Sequence, residues 1–324
     1  RHGRQAPLVW AVQCHPKVFC LTGGEDELCV ILESGQTRDN HAVAREGETM
    51  GIDEFDYKEP ACATCGGKEF YYPETETHGT IPVERIIEKE DEFLSRNDLA
   101  SAEKLLRYWL DEAKALNDKR GELVVTSELT GVFRKTGNKE DSEKYCAEIL
   151  RLIDETDMAE TTSGATFLLN VATNKKAFGD AKGALKIYDE VNKVFSKNLD
   201  ADNALFGGLY NNSALSYADL GDYDTAISYF EKALEIAKNN GNKLDEAVTY
   251  TNLSTTFLRK DPFDDENVDK ALDNALSCLN DESVTRDGYY AFVCEKCASA
   301  FSDAGRFIDA QDLSARARSI YERR

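Results

Sequence analysis

Proline is scarce in this 324-residue chain, with 6 in all, and only Pro82 and Pro262 lie beyond residue 81. That excludes long proline-rich linkers and leaves most of the chain free of helix breakers. Histidine is as rare: all 4 precede residue 79, so the larger C-terminal part lacks the usual general base. Basic side chains are few, 39 against 60 acidic ones, for a net charge of −21. Such a balance opposes binding to nucleic acid, which needs clustered Lys and Arg, and opposes attraction to anionic membrane surfaces. There is no apolar run long enough for a transmembrane helix, and the N-terminus lacks the order of a secretory signal. The 9 cysteines are an odd number without secretory context, which reads as reduced thiols in a cytoplasm. No Gly-x-Ser-x-Gly and no Walker loop occurs, and "TGGEDE" at Thr22 is too short to cradle phosphate, so no catalytic residues are expected.

What is present in quantity is a helical pattern that repeats. In "GDYDTAISYFEKALEIAK", Gly221 is a turn residue, here written g. The helix before it carries Tyr210, Ala214 and Tyr217 at g−11, g−7 and g−4; the helix after it carries Ala226, Phe230 and Ala233 at g+5, g+9 and g+12. Steps of three and four put each set on one helical face. Small residues at g−7 and g+5 let two antiparallel helices approach closely, and aromatics at g−4 and g+9 fill the space beside them. The same template fits with g at Asn97, Gly137, Gly179, Asp261 and Gly305, so six units follow one another at intervals of 40 to 44 residues. In the fifth unit the second helix resumes only at Ala271, after the longer loop "DPFDDENVDK".

This pattern resembles the tetratricopeptide repeat, a helix–turn–helix unit that stacks into a superhelix. Its roughly 42-residue spacing is similar to kinesin light chains and to peptide-sensing regulators of Gram-positive bacteria, which implies a bacterial, cytoplasmic protein. The expected fold is all-α: a right-handed superhelical solenoid of six antiparallel helix pairs over 81–324, preceded by an irregular N-terminal segment. An extended superhelix of this kind keeps its two ends apart. Lys89 and Glu90 stand at apolar or small positions of the first unit, which suits an end cap.

Residues 1–81 do not fit the template. "REGETM" ends at Met50, and Glu-Gly-Glu can be encoded by a purine-rich ribosome-binding core. Residues 1–49 are therefore either ordinary coding sequence or a translated leader ahead of a native start at Met50; in both cases 1–55 are expected to be poorly ordered. In 56–80, Cys62 and Cys65 form a C-x-x-C followed by two glycines, similar to one knuckle of a zinc ribbon, and His78 is spaced as a third ligand. A surface turn with two thiols is the alternative, so zinc is a candidate cofactor and otherwise none is expected. A second C-x-x-C, Cys294 and Cys297, falls at g−11 and g−8 of the sixth unit. Those positions face the partner helix, and the expectation is two buried thiols rather than a redox pair.

Asn170, Asn212 and Asn252 share position g−9 in three consecutive units. The resemblance turns this position toward the concave groove, where Asn contacts the backbone of a bound peptide; an amide both donates and accepts, so it reads an extended chain irrespective of its sequence. Hydrogen bonding between neighbouring helices of the array is the other use of the same ladder. Neighbouring groove positions hold Asn211, Thr173, Lys176, Thr255, Arg259 and Lys296, whose basic members hint at a ligand carrying some carboxylate. The Lys/Asn dicarboxylate clamp of chaperone-binding members does not match: its places hold Leu169 and Thr173 in the third unit. The function expected is a non-enzymatic scaffold binding a protein or peptide segment in the groove; the alternatives are a zinc module on the N-terminal knuckle and, behind it, a thiol oxidoreductase.

Overall fold

The computed structural model describes residues 18–20, 29–31, 79–261 and 264–322. Twelve helices fill the two long stretches: α1 (Val83–Leu94), α2 (Leu99–Ala115), α3 (Lys119–Thr136), α4 (Lys139–Glu155), α5 (Thr162–Ala177), α6 (Ala181–Asn198), α7 (Leu205–Asp219), α8 (Tyr223–Asn239), α9 (Lys243–Lys260), α10 (Asp265–Leu279), α11 (Gly288–Asp303) and α12 (Phe307–Tyr321). Within the N-terminal segment, β1 (Val18–Cys20) and β2 (Cys29–Ile31) pair antiparallel. Cys62, Cys65 and His78 lie outside the described residues.

One dipeptide device makes most of the turns. The residue at g is left-handed at Asn97 (φ 55°), Gly137 (73°), Gly179 (95°), Gly221 (82°) and Gly305 (78°). The amide of the next residue then donates back across the turn, as Asp98 does to the Phe93 carbonyl and Asp222 to that of Tyr217. This is the hydrogen bond that closes a Schellman-type helix end. That same next residue caps the following helix in four of the five cases: Asp98, Asn138, Asp180 and Asp222 each accept from the amide three residues on. A helix therefore ends and a new one starts after only a short turn, which forces the two helices antiparallel. Asp261 is the exception among the six: it is extended (φ −143°), and α10, capped by Asp264, starts at Asp265 rather than at Ala271, so the expected longer loop is corrected.

Packing confirms the template register. Ala214, Ala226 and Phe230 are fully buried at g−7, g+5 and g+9 of the fourth unit, and so are Ala102, Leu106, Ala184 and Tyr188 at equivalent places. Helices pair within units, each outer (even-numbered) helix also packs on the next unit's inner helix, and the inner helices α3, α5, α7, α9 and α11 touch in succession. An inner layer in mutual contact, with the second helices outside it, is the geometry of a solenoid curved around its odd-numbered helices.

The curvature is tighter than an extended superhelix. Lys135 of the second unit lies over the Phe292 ring of the sixth, its ammonium 5.2 Å from the centroid. A Cβ on Gly288, at the start of α11, would sit 2.4 Å from Ser95 Cβ in the first unit. So the last unit returns to the first two, and the expectation of well-separated ends is corrected. Curvature is a small rotation per interface, summed over five interfaces, and no single helix pair encodes the sum. Glu90 of α1, expected on a polar cap, is buried instead.

Candidate functional site

The inner helices place the Asn ladder where the shared template position requires, on one wall. Its carboxamide nitrogens all donate to the preceding unit. Asn170 Nδ2 reaches Ser127 Oγ at 2.9 Å, Asn212 Nδ2 reaches Thr173 Oγ1 at 3.3 Å, and Asn252 Nδ2 reaches Asn211 Oδ1 at 3.0 Å. Ser127, Thr173, Asn211, Asn212 and Asn252 are buried, Asn170 partly so. The ladder thus stitches the second unit to the third, the third to the fourth and the fourth to the fifth. Thr173 also donates to the Leu169 carbonyl at 2.8 Å and meets the Tyr188 hydroxyl at 3.2 Å. Thr255 is half-buried and donates to the Thr251 carbonyl at 3.2 Å.

The basic positions divide into two groups. Lys176 and Arg259, from the third and fifth units, converge on Asp219 of the fourth, at 3.3 Å and 3.2 Å. Lys176 is almost wholly buried, and burial holds its pKa below the usual lysine value, partly offset by the Asp219 charge. Arg259 also lies over the Tyr223 ring, 5.7 Å from its centroid. Lys296 is different. It occupies g−9 of the sixth unit, the Asn position, and its ammonium nitrogen is buried with no hydrogen-bond partner among the described residues. Burial pushes its pKa down to about 7, with Lys176 and Arg134 adding repulsion and Asp245 and the Cys297 thiol pulling the other way.

Asp245, which the ladder did not single out, is the acidic counterpart. It accepts from the Tyr289 hydroxyl at 3.1 Å and from Asn242 Nδ2 at 2.8 Å, and burial raises its pKa to about 6. With Asn211 and Thr249 it lines a small pocket between α7, α8 and α9. In the sequence "NKLDEAV" it reads as a helix-capping residue, because Asn242 caps α9 by accepting from the Asp245 amide at 3.1 Å. Its second role follows only from the approach of α11. Arg134 and Asp219 escaped notice for a similar reason: each is one charge among many until another unit's inner helix is laid beside it.

Cys294 and Cys297 are buried free thiols. Burial lifts their pKa values to about 11 and about 12, although the Thr251 hydroxyl donates to Cys297 Sγ at 3.2 Å. A nucleophilic redox cysteine needs a lowered pKa and access, so this pair has the character of core residues. Among the described residues no cluster of His, Cys, Asp and Glu is arranged to hold a metal ion, and no helix is long and apolar enough to cross a membrane.

Stacked helix pairs with left-handed turn residues, small residues at the crossings and a continuous inner wall define a tetratricopeptide-type solenoid. Comparison with known proteins agrees: the tetratricopeptide repeat family model matches residues 206–266, from α7 into α10. Among solved structures, the chain is similar to a Rap protein complexed with competence and sporulation factor, at 14% identity and a TM-score of 0.54 over 74% of this chain and 63% of that one. It is similar to aspartyl phosphate phosphatase F from Bacillus subtilis, at 13% identity and a TM-score of 0.50 over 76% of this chain and 62% of that one. A kinesin light chain array of nearly identical TPR-like repeats from Podosopora anserina aligns over 60% of this chain and 92% of its own, at 15% identity and a TM-score of 0.44. No curated protein matches the sequence. At these identities the likeness concerns the fold.

Proposed function

We propose that the protein is a non-enzymatic scaffold that takes an extended peptide or protein segment along the wall formed by α3, α5, α7, α9 and α11. The observation that carries this reading is the concentration of polar and charged groups on that wall. Arg134, Lys176, Asn211, Asn212, Asn252 and the Lys296 ammonium are buried there, where a self-contained helical core would place apolar side chains. Lys176, Asn212 and Asn252 have partners within the array, whereas the Lys296 ammonium and Asn211 Nδ2 have none among the described residues, and an extended chain brings a carbonyl and an amide with every residue. The Rap protein of similar fold was solved with competence and sporulation factor, which supports a segment in the groove of this one. The unbridged thiols suit a reducing compartment such as the cytoplasm.

The Asn ladder takes part in two ways. Its Nδ2 groups hold successive units in register, and each carboxamide oxygen is a candidate acceptor for a ligand amide. The test is selection of random octapeptides by the full chain, followed by hydrogen exchange of the complex. Slowed exchange confined to the inner helices is expected. Protection confined to α4, α6, α8 and α10, or no selected peptide at all, refutes the groove as the binding surface.

A further inference from the structure

The fourth unit carries two features that the array itself does not need. The first is the nitrogen of the Asn211 carboxamide. The oxygen of that group accepts from Asn252 Nδ2 at 3.0 Å and so ties the fourth unit to the fifth. Ser127, at the same template position g−10 of the second unit, does this for Asn170 with a hydroxyl alone. The Asn211 nitrogen is therefore surplus to the ladder. It is buried without a hydrogen-bond partner among the described residues, which is costly for a donor. The second feature is a cavity. Template position g−13 holds Val124, Thr166, Val248 and Phe292 in the second, third, fifth and sixth units, but Gly208 in the fourth. Where that side chain is missing, α7 leaves a cavity of about 20 Å³ against α8 and α9, more than the roughly 10–15 Å³ that one water needs. Gly208, Asn211, Asp245 and Thr249 line it, and so do the partly exposed Ala204 and the exposed Asn240, through which it opens at the surface. Thr249 gives its proton to the Asp245 carbonyl at 2.8 Å, so its hydroxyl has lone pairs left to offer. The two carboxylate oxygens of Asp245 are engaged by Tyr289 and Asn242.

Resting on the groove reading above, we infer that this cavity is a subsite for one neutral polar side chain of the bound segment, a carboxamide or a hydroxyl, that accepts from Asn211 Nδ2 and donates to Thr249 Oγ1. The chemistry of the walls selects that class. A carboxylate would meet the charge of Asp245. An ammonium or guanidinium brings only donors to an open group that is itself a donor. An apolar side chain would fill the room and leave Asn211 Nδ2 buried and unpaired. A carboxamide or hydroxyl both accepts and donates, and carries no charge. The Asn ladder meets any extended backbone alike, so a cavity that reads one side chain is where this groove acquires sequence preference.

The experiment selects random octapeptides against the full wild-type chain, against Ala204→Leu, which fills the mouth of the cavity, and against Thr249→Val, which removes the acceptor at nearly constant volume. Wild type is expected to enrich Asn and Gln, or else Ser and Thr, at one position; the first outcome identifies a carboxamide and the second a hydroxyl. Thr249→Val should bind the wild-type peptide about 2- to 10-fold more weakly, the range of one neutral hydrogen bond, and Ala204→Leu about tenfold or more weakly. Both should lose the enrichment. Replacing the enriched residue of the peptide by Ala should weaken binding to wild type and cost Ala204→Leu nothing further, which places that residue in the cavity. Circular dichroism and melting show whether the variants fold. Ala204 is partly exposed and the Thr249 bond stays within α9, so both should; if one does not, the other carries the test. Selected peptides without neutral polar enrichment, or unchanged affinity in a folded variant, mean that the cavity holds solvent only, which overturns the subsite and leaves the groove standing. Failure to select any peptide overturns both.

Discussion

Asn252→Ala is the substitution that measures what the ladder does for the array itself. Asn252 Nδ2 donates to Asn211 Oδ1 at 3.0 Å, and both residues are buried. Truncation removes the hydrogen bond and leaves Asn211 Oδ1 without that donor, beside an Nδ2 that already has no partner among the described residues. Stranding a buried polar atom costs about 1–3 kcal/mol. Ala is the better helix former by about 0.5 kcal/mol, so the expected net loss is roughly 0.5–2.5 kcal/mol. Asn211→Ala should cost less, because it also removes an unsatisfied donor. The double variant should be more stable than Asn252→Ala alone, with a coupling of about 0.5–3 kcal/mol for two residues in direct contact. Repeat arrays need not unfold in one step, so the readout is hydrogen exchange resolved by helix, supported by urea unfolding. Protection should fall across the α7–α9 contact and stay unchanged in α1 to α4. Additive singles, or a loss spread evenly over the chain, would refute the inter-unit bond as a structural tie.

Four further outcomes are expected. Ala226→Leu overpacks the fully buried α7–α8 crossing and should lower stability by about 1–3 kcal/mol in urea unfolding. Cys294 and Cys297 should resist a thiol reagent in the folded protein and react quickly in urea; fast native labelling would revive a redox role. Asp245 has a raised folded pKa, so the native state binds more protons than the unfolded chain between about 4 and 6, and stability should fall as pH rises through that window. Asp245→Asn should remove that slope in pH-dependent melting. Gly288→Val cannot keep its close approach to Ser95, so small-angle scattering should show a larger radius of gyration with helix content unchanged; an identical radius would mean that this contact does not hold the curvature.

The helix pairs were legible because each unit writes its own boundaries. A left-handed Gly or Asn marks five of the six turns, a capping Asp or Asn follows four of them, and small residues stand at fixed offsets; all are local signals. Asp261 shows the limit of the template: it was assigned a turn role from spacing, yet its backbone is extended and Asp264 caps α10 instead. Buried contacts inside a unit followed from the same spacing, as Phe230 and Tyr188 illustrate. Relations between distant units did not. Lys135 over Phe292, and Arg134 and Lys176 acting on Lys296, join residues more than a hundred positions apart through accumulated curvature. For the Asn ladder, sequence gave the shared wall but not the hydrogen-bond direction, because Asn can face a neighbour or a ligand from one helical position.

The division between local stability and shared electrostatics has a consequence for how the groove works. Each helix pair is held by its neighbours, so an individual unit can loosen without collapsing the array. The potential along the inner wall is different: Lys296 receives contributions from three other units, and that sum depends on how tightly the solenoid is wound. Opening the winding moves Arg134 and Lys176 away from Lys296, lessens their repulsion and admits water to a buried ammonium. A segment bound along the groove and the tightness of the superhelix then bias one another by the same free energy.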